Sequence, residues 1–218
     1  MTKAGSVAVE HLTPDAKGLI SRLLGPAVDE IGDMLREMIV VRRQKNFYRI
    51  ATKAAAMVVE GAPTPIALST RTAVALLYQA SLEDEGAGLE NQWAGLLASA
   101  ATGTSVPSAY PSILSQMTPL DACVLNALDS AQRDRLDEAR QTIAALGQTS
   151  GLSGGVLMEA VDNLLRLRLC VITTAENDDV ISRSHFWPVD KSVLQMTVLG
   201  TNFLKACRGP SHGSSEAA

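Results

Sequence analysis

A mainly α fold, with a helical N-terminal domain and a second domain carrying a small β-hairpin, follows from three features of the sequence. Large apolar residues recur at helical spacing, most clearly at Leu89, Trp93, Leu96 and Leu97 with Ala100 behind them, which sets one apolar stripe along one side of a helix. Aromatic residues make up only 4% of the chain against 46% apolar residues overall, so packing must rely on aliphatic side chains and closely approaching helices. β-Favouring residues gather between 169 and 197, after three further helical repeats. At 218 residues the chain can hold one large or two modest domains, each with its own core.

Residues 1–13 are expected to form a mobile leader and 14–102 the helical N-terminal domain. Thr13-Pro14-Asp15 reads as a helix start with proline at the first helical position. Leu19, Ile20, Leu23 and Leu24 make a short stripe ended by Gly25-Pro26, because proline removes a donor and restricts the residue before it. The repeat resumes at Ala27, Val28, Ile31, Met34, Leu35, Met38 and Ile39. Its charges run from acidic to basic, as the helix dipole favours. A second helix over 51–59 ends at Gly61, Ala62-Pro63-Thr64-Pro65 is an extended turn, and a helix follows over about 72–81. Glu83, Asp84, Glu85 and Glu90 precede or enter the helix 89–100 at its positive end. Trp93, one of only two indoles, marks the centre of the N-terminal core. Gly103, Ser105, Pro107 and Ser108 make 103–117 a linker.

The second domain is placed at 118–207. Thr118-Pro119 caps a helix containing Leu120, Cys123, Val124, Ala127 and Leu128, and a charged turn, 132–137, leads to a helix with Ala139, Ile143, Ala144 and Leu146. After a turn over 148–154, Val156, Leu157, Ala160, Val161, Leu164, Leu165 and Leu167 form another helical repeat. Strand residues then fill 169–174, a polar tip Glu176-Asn177-Asp178-Asp179 follows, and the chain returns through Val180, Ile181 and 193–197. Three helices followed by a hairpin are the order of a winged-helix-like domain. Thr197 should cap a last helix, 198–207, before a disordered tail, 208–218.

Charge and cysteine usage narrow the function. A net charge of −4 and a pI near 5.4 give no overall electrostatic reason to bind nucleic acid or an anionic membrane. Three widely spaced cysteines and a polar N-terminus without an apolar signal core point to a reduced, cytoplasmic protein. The least polar tract, 54–70, is broken by Glu60, Gly61, Pro63 and Pro65, short of the roughly 18 apolar residues that a transmembrane segment needs.

The most distinctive charge feature is Arg42, Arg43, Lys45, Arg49 and Lys53, interleaved with Phe47 and Tyr48. These five cations are the candidate partner- or anion-binding residues, a surface for phosphates, an acidic partner or lipid headgroups. The plainer use of such a run, and the commoner one, is a solvated face whose charges suit a helix C-terminus and pair with nearby Asp and Glu. Cys170, His185 and Cys207 lack the close pairing that pre-forms a zinc site, so the cysteines are expected in the core. No nucleophile elbow, phosphate loop or metalloprotease motif occurs. The expectation is a protein without catalytic residues, metal or cofactor.

A winged helix usually suggests DNA. Here the candidate recognition helix, 153–168, carries Glu159 and Asp162, with Arg166 and Arg168 only at its far end, and the wing tip has Glu176, Asp178 and Asp179 against Arg183. Duplex binding draws on neutralised phosphates, so such a surface repels it. Contact with a protein partner, or self-association, is therefore preferred. A DNA-binding regulator using the basic face at 42–53 is the alternative.

Taken together, Leu24-Gly25-Pro26-Ala27 with Glu30-Ile31-Gly32, the basic segment 42–49, Pro63-Thr64-Pro65 and the run Glu90-Asn91-Gln92-Trp93-Ala94-Gly95-Leu96-Leu97-Ala98-Ser99-Ala100 resemble the Abi-alpha family, named for abortive infection protein alpha. The resemblance implies a cytosolic bacterial protein tied to phage defence, in which infected cells stop growing or die. It brings no catalytic residues with it.

Overall fold

The computed structural model describes residues 15, 18, 41–58, 68–134, 141–174 and 192–210. Apart from Asp15 and Gly18, the helices expected over 14–39 lie outside these residues, as do the proline link at 62–65, the wing tip with Val180, Ile181, His185, Phe186 and Trp187, the leader and most of the tail. Among the described residues the protein is mainly helical, with a small antiparallel sheet towards the C-terminus. The chain divides into two compact units, one of Met1–Gln116 with Lys205–Ala218 and the other of Met117–Leu204.

The first unit contains α1 (Val41–Met57), α2 (Thr70–Ala80), α3 (Glu90–Ala101) and α4 (Ala109–Leu114). α1 is continuous through the basic segment, where the sequence pattern suggests two helices. Asn46, Phe47, Ile50, Ala51 and Ala54 bury one helical face, and that face packs chiefly on α3. α2 starts where the Ser69 hydroxyl accepts the Thr72 amide at 3.2 Å, and it buries Ala73, Leu76, Leu77 and Ala80.

α3 departs from the single-stripe expectation: every residue from Trp93 through Ala101 is buried. Six of these nine are Ala, Gly or Ser, so neighbouring segments close in on all sides of the helix and leave the large contacts to Trp93, Leu96 and Leu97. The Ser99 hydroxyl, thereby cut off from water, donates to the Ala206 carbonyl at 2.8 Å. Trp93 is fully enclosed, as its place in the pattern indicates.

Within the stretch read as a linker, α4 buries Tyr110, Pro111, Ile113 and Leu114. Pro111 does not prevent the helix, because it falls in the first turn, where backbone N–H groups have no intrahelical acceptor.

The second unit contains α5 (Pro119–Asp134), β1 (Gln141–Thr142), α6 (Ile143–Ser150), α7 (Gly154–Arg166), β2 (Cys170–Thr174), β3 (Ser192–Met196) and the start of α8 (Val198–Cys207). α5 opens on a reciprocal cap, in which the Asp121 amide donates to the Thr118 hydroxyl at 3.3 Å and the Thr118 amide donates to the Asp121 carboxylate at 2.6 Å. α6 begins at Ile143, capped by Thr142, and ends at Gly151 with φ +71°, the left-handed geometry that glycine adopts without strain. Ala139 lies outside the described residues, and the helix of Ile143, Ala144 and Leu146 follows a two-residue strand, too short to announce itself in the sequence.

The sheet order is β1-β3-β2, all antiparallel, with Ile172 opposite Leu194 and Leu194 opposite Gln141. Leu125, Leu128, Ile143, Leu146, Val161, Leu164 and Leu194 form the core. Thr197 caps α8 by accepting the Gly200 amide at 2.9 Å, and its hydroxyl donates to the Arg168 carbonyl at 2.8 Å. Arg168 carries φ +59°, so this hydroxyl secures a tight, left-handed turn between α7 and β2.

Candidate functional site

The basic segment runs along α1 with Lys45, Arg49 and Lys53 one turn apart, so all three fall on one face. Opposite them stand the loop over 82–89 and the first residue of α3. Lys45 Nζ lies 3.0 Å from Glu85 Oε2. Arg49 donates through Nη2 to the Glu83 carbonyl at 3.1 Å and through Nη1 to Asn46 Oδ1 at 3.1 Å. Its Nε is 2.7 Å from Glu90 Oε1, a close ion pair without hydrogen-bond geometry. Lys53 pairs with the other Glu90 oxygen. Glu90 thus sits between two cations.

The loop is braced from its own side as well. Leu89 donates its amide to Glu83 Oε1 at 3.0 Å, Gly86 donates its amide to Glu90 Oε1 at 3.3 Å, and Asn46 Nδ2 donates to Asp84 Oδ1 at 3.2 Å. The carboxylates therefore do two things: they serve the N-terminus of α3, as the helix dipole suggests, and they neutralise α1. The Lys53 hydrogen bond, joined by the Gly86 amide and Arg49, holds the Glu90 carboxyl below the usual carboxylate range despite its burial. Lys45, with Arg49 behind it, lowers Glu85 likewise.

Of the five candidate cations, Lys45, Arg49 and Lys53 are brought together on this clasp. Arg43 turns to α2, its guanidinium carbon 5.4 Å from the centre of the Tyr78 ring. Arg42 belongs to the same helix, but its side chain lies outside what is described. Asn46 escapes sequence reasoning: a buried amide inside a basic run is silent until its carbonyl and carboxylate partners are located. Glu90 carries a visible signal, an acid leading into the Trp93 helix, yet its cationic partners are 37 or more residues earlier in the chain.

On α7 the side facing away from the core presents Gly155, Glu159, Asp162 and Arg166, while Leu157, Ala160, Val161 and Leu164 are buried. Val156, 47% exposed, adds an apolar edge at the N-terminal turn. The helix is fixed to α5 through the buried Asp121, whose Oδ2 accepts Asn163 Nδ2 at 2.7 Å, and Asn163 Oδ1 accepts Arg166 Nη2 at 2.7 Å. Asp121 therefore links the cap of one helix to the exposed guanidinium of another.

Cys170 and Cys207 are buried and Cys123 is exposed. Burial pushes the Cys170 thiol up to about 12 and raises that of Cys207 as well, which keeps both as inert packing groups. Among the described residues no group of three His, Cys, Asp or Glu could hold a metal ion, and no helix is long and apolar enough to cross a membrane.

These features define a mainly helical protein of two compact units, the first zipped by charge between α1 and the entry to α3, the second a helical module with a small sheet. The abortive infection alpha model matches residues 42–207, and the chain belongs to the Abi-alpha family. The matched span holds the basic helix, the Trp93 helix and the whole of the second unit. No curated protein and no solved structure matches it.

Proposed function

We propose that this is a cytoplasmic, non-enzymatic protein of abortive infection or its regulation, acting through protein–protein contacts made by a winged-helix-like C-terminal module. Family membership supports the link to abortive infection. The helix–strand–helix–helix–strand–strand order of the second unit supports the winged-helix reading. The observation that carries the protein-contact reading is the exposed face of α7. In a winged helix this is the element offered to a ligand, and here Glu159 and Asp162 occupy its first three turns while its one cation, Arg166, stands in the last. A phosphate backbone meeting that face would find carboxylates where affinity requires cations. A protein surface with complementary charge and an apolar spot for Val156 suits it better.

The test is recovery of the full chain from infected and uninfected cells, with Glu159→Lys/Asp162→Lys as the comparison. The expected result is a partner, or a second copy, that is retained by the wild type and lost with the charge reversal. A wild-type protein that binds duplex DNA with a steep salt dependence, or that turns over a small molecule without any stable partner, would overturn the reading.

A further inference from the structure

We propose that α8 is a shared strut that ties the stability of the two units together: freeing its first turn from the second unit releases its last turn from α3, and the reverse. The inference goes beyond the functional reading and does not rest on it. Among the described elements only α8 is divided between the units, with residues through Leu204 in the second and from Lys205 onward in the first.

Both ends are seated by the same device, a glycine against main chain. At the first turn a β-carbon on Gly200 would stand 2.1 Å from the Leu169 carbonyl oxygen, and the Thr197 amide donates to that same carbonyl at 2.9 Å. The Thr197 hydroxyl adds the cap on the Gly200 amide and the bond to the Arg168 carbonyl. At the last turn the glycine is on the receiving side: Gly95 of α3 admits the Cys207 main chain, and the Ser99 hydroxyl holds the Ala206 carbonyl. Backbone packed this closely does not slide by degrees, so each end is either seated or off.

Between its seats α8 has only 10 residues, fewer than the roughly 12–15 that a helix needs to hold in water by itself. Its middle supplies little, since Thr201 and Asn202 are exposed. The buried residues are split: Phe203 and Leu204 fall in the second unit's share of the helix, Ala206 and Cys207 in the first's. Neither unit therefore holds the whole apolar side of α8. When the first turn comes off, the cap and half of the anchoring go with it, and what is left is too short to stay helical on α3.

The test treats the full chain with a thiol reagent under native conditions and follows Cys207 by peptide mass mapping, because its slow modification reports the local unfolding of α8. Gly200→Ala drives the first turn off Leu169 and should speed Cys207 roughly five- to a hundredfold. The milder Thr197→Ala removes the cap and should speed it roughly two- to thirtyfold. Leu146→Ala is the control: it opens a cavity beneath α6, a core equally formed whether α8 is seated or released, and should leave the Cys207 rate unchanged. In the reverse direction, Ser99→Ala should raise hydrogen exchange at the Thr201 amide, which donates to the Thr197 carbonyl in the first turn, by roughly two- to tenfold. Cys207 labelled at the wild-type rate in Gly200→Ala or Thr197→Ala, or unchanged Thr201 exchange in Ser99→Ala, overturns the inference, since the two ends would then release separately. An acceleration as large in Leu146→Ala as in Gly200→Ala overturns it too, because the chain would be opening as a whole and not through α8.

Discussion

Gly95 lies so close to the main chain of Cys207 that a β-carbon on it would stand 2.0 Å from the Cys207 carbonyl oxygen and 2.8 Å from the Gly209 amide. The atoms it would meet are backbone, which cannot swing aside as a side-chain tip can. In the middle of α3 a glycine ordinarily costs about 0.5–1 kcal/mol relative to alanine. Here the steric term outweighs that gain, and the absence of a side chain is what lets residues 205–210 reach the helix.

Gly95→Ala is therefore expected to destabilise the protein, by about 1–3 kcal/mol as overpacking typically does. Gly155→Ala is the matched control. It lies on the exposed face of α7 with nothing within 4 Å of its added carbon, so it should be neutral or stabilising by up to about 0.5 kcal/mol. Chemical denaturation of the two variants checks the difference in sign. Equal effects would mean that the contact at Gly95 yields without cost.

That contrast also shows what could be read in the sequence and what could not. Trp93, Leu96 and Leu97 announce α3 by spacing alone, and Thr197 announces the cap of α8, because periodicity and capping are local. Gly95 and Ser99 are equally visible as letters, but their reason is Cys207 and Ala206, more than a hundred residues away. The basic run was legible as charge on a helix. That the loop over 82–89 closes on it depends on how α1 and α3 pack, which no local pattern encodes. β1 escapes the sequence for a similar reason: two residues become a strand only because β3 lies beside them.

The clasp makes stability depend on acid in a defined direction. Glu90 has its carboxyl lowered from an ordinary value of 4.5, so the folded state binds its proton less readily than the unfolded chain does. The stabilisation is fully present above about 4.5 and is lost as pH falls through the folded value below it. At neutral pH, Glu90→Gln should cost about 1–3 kcal/mol, because it leaves Arg49 and Lys53 facing a neutral amide in a part-buried place. That difference from wild type should shrink as pH drops below 4.5. Urea titrations of both proteins at neutral and acid pH give the comparison, and a gap that widens in acid would contradict it.

Thiol chemistry separates the three cysteines. Cys123 is exposed on α5 with its Sγ 3.6 Å from the Ser150 carbonyl, while Cys170 and Cys207 are enclosed. Burial raises both enclosed thiols, so little thiolate is present and access is blocked. In the native protein a thiol reagent should modify Cys123 alone. Cys170 and Cys207 should follow only at the rate of unfolding, and Cys123→Ser should leave no fast phase. Fast labelling of either buried cysteine would show that its part of the core opens far more often than its packing implies.

The charge on α7 is the feature whose reversal should change what the protein binds. Glu159 and Asp162 are exposed on the outer face, and neither helps to fix the helix, since the Asp121–Asn163 bond and the buried Leu157, Val161 and Leu164 do that. Replacing both with lysine should therefore leave the fold intact, with stability within about 0.5 kcal/mol of wild type, as is usual for surface positions. The same change swings the local charge by four units, from two carboxylates to two ammonium groups beside Arg166. A helix that repels phosphate then attracts it, and each lysine that reaches a phosphate adds about 0.9 to the slope of log affinity against log salt. Duplex DNA titrated at several salt concentrations should show no binding by the wild type and weak, salt-sensitive binding by the variant. The gain should be indifferent to base sequence, because phosphate contacts position a protein without reading bases. If the variant remains unable to bind even at low salt, α7 is shielded from a duplex by more than its charge; if the wild type binds as well as the variant, the carboxylates never were the barrier.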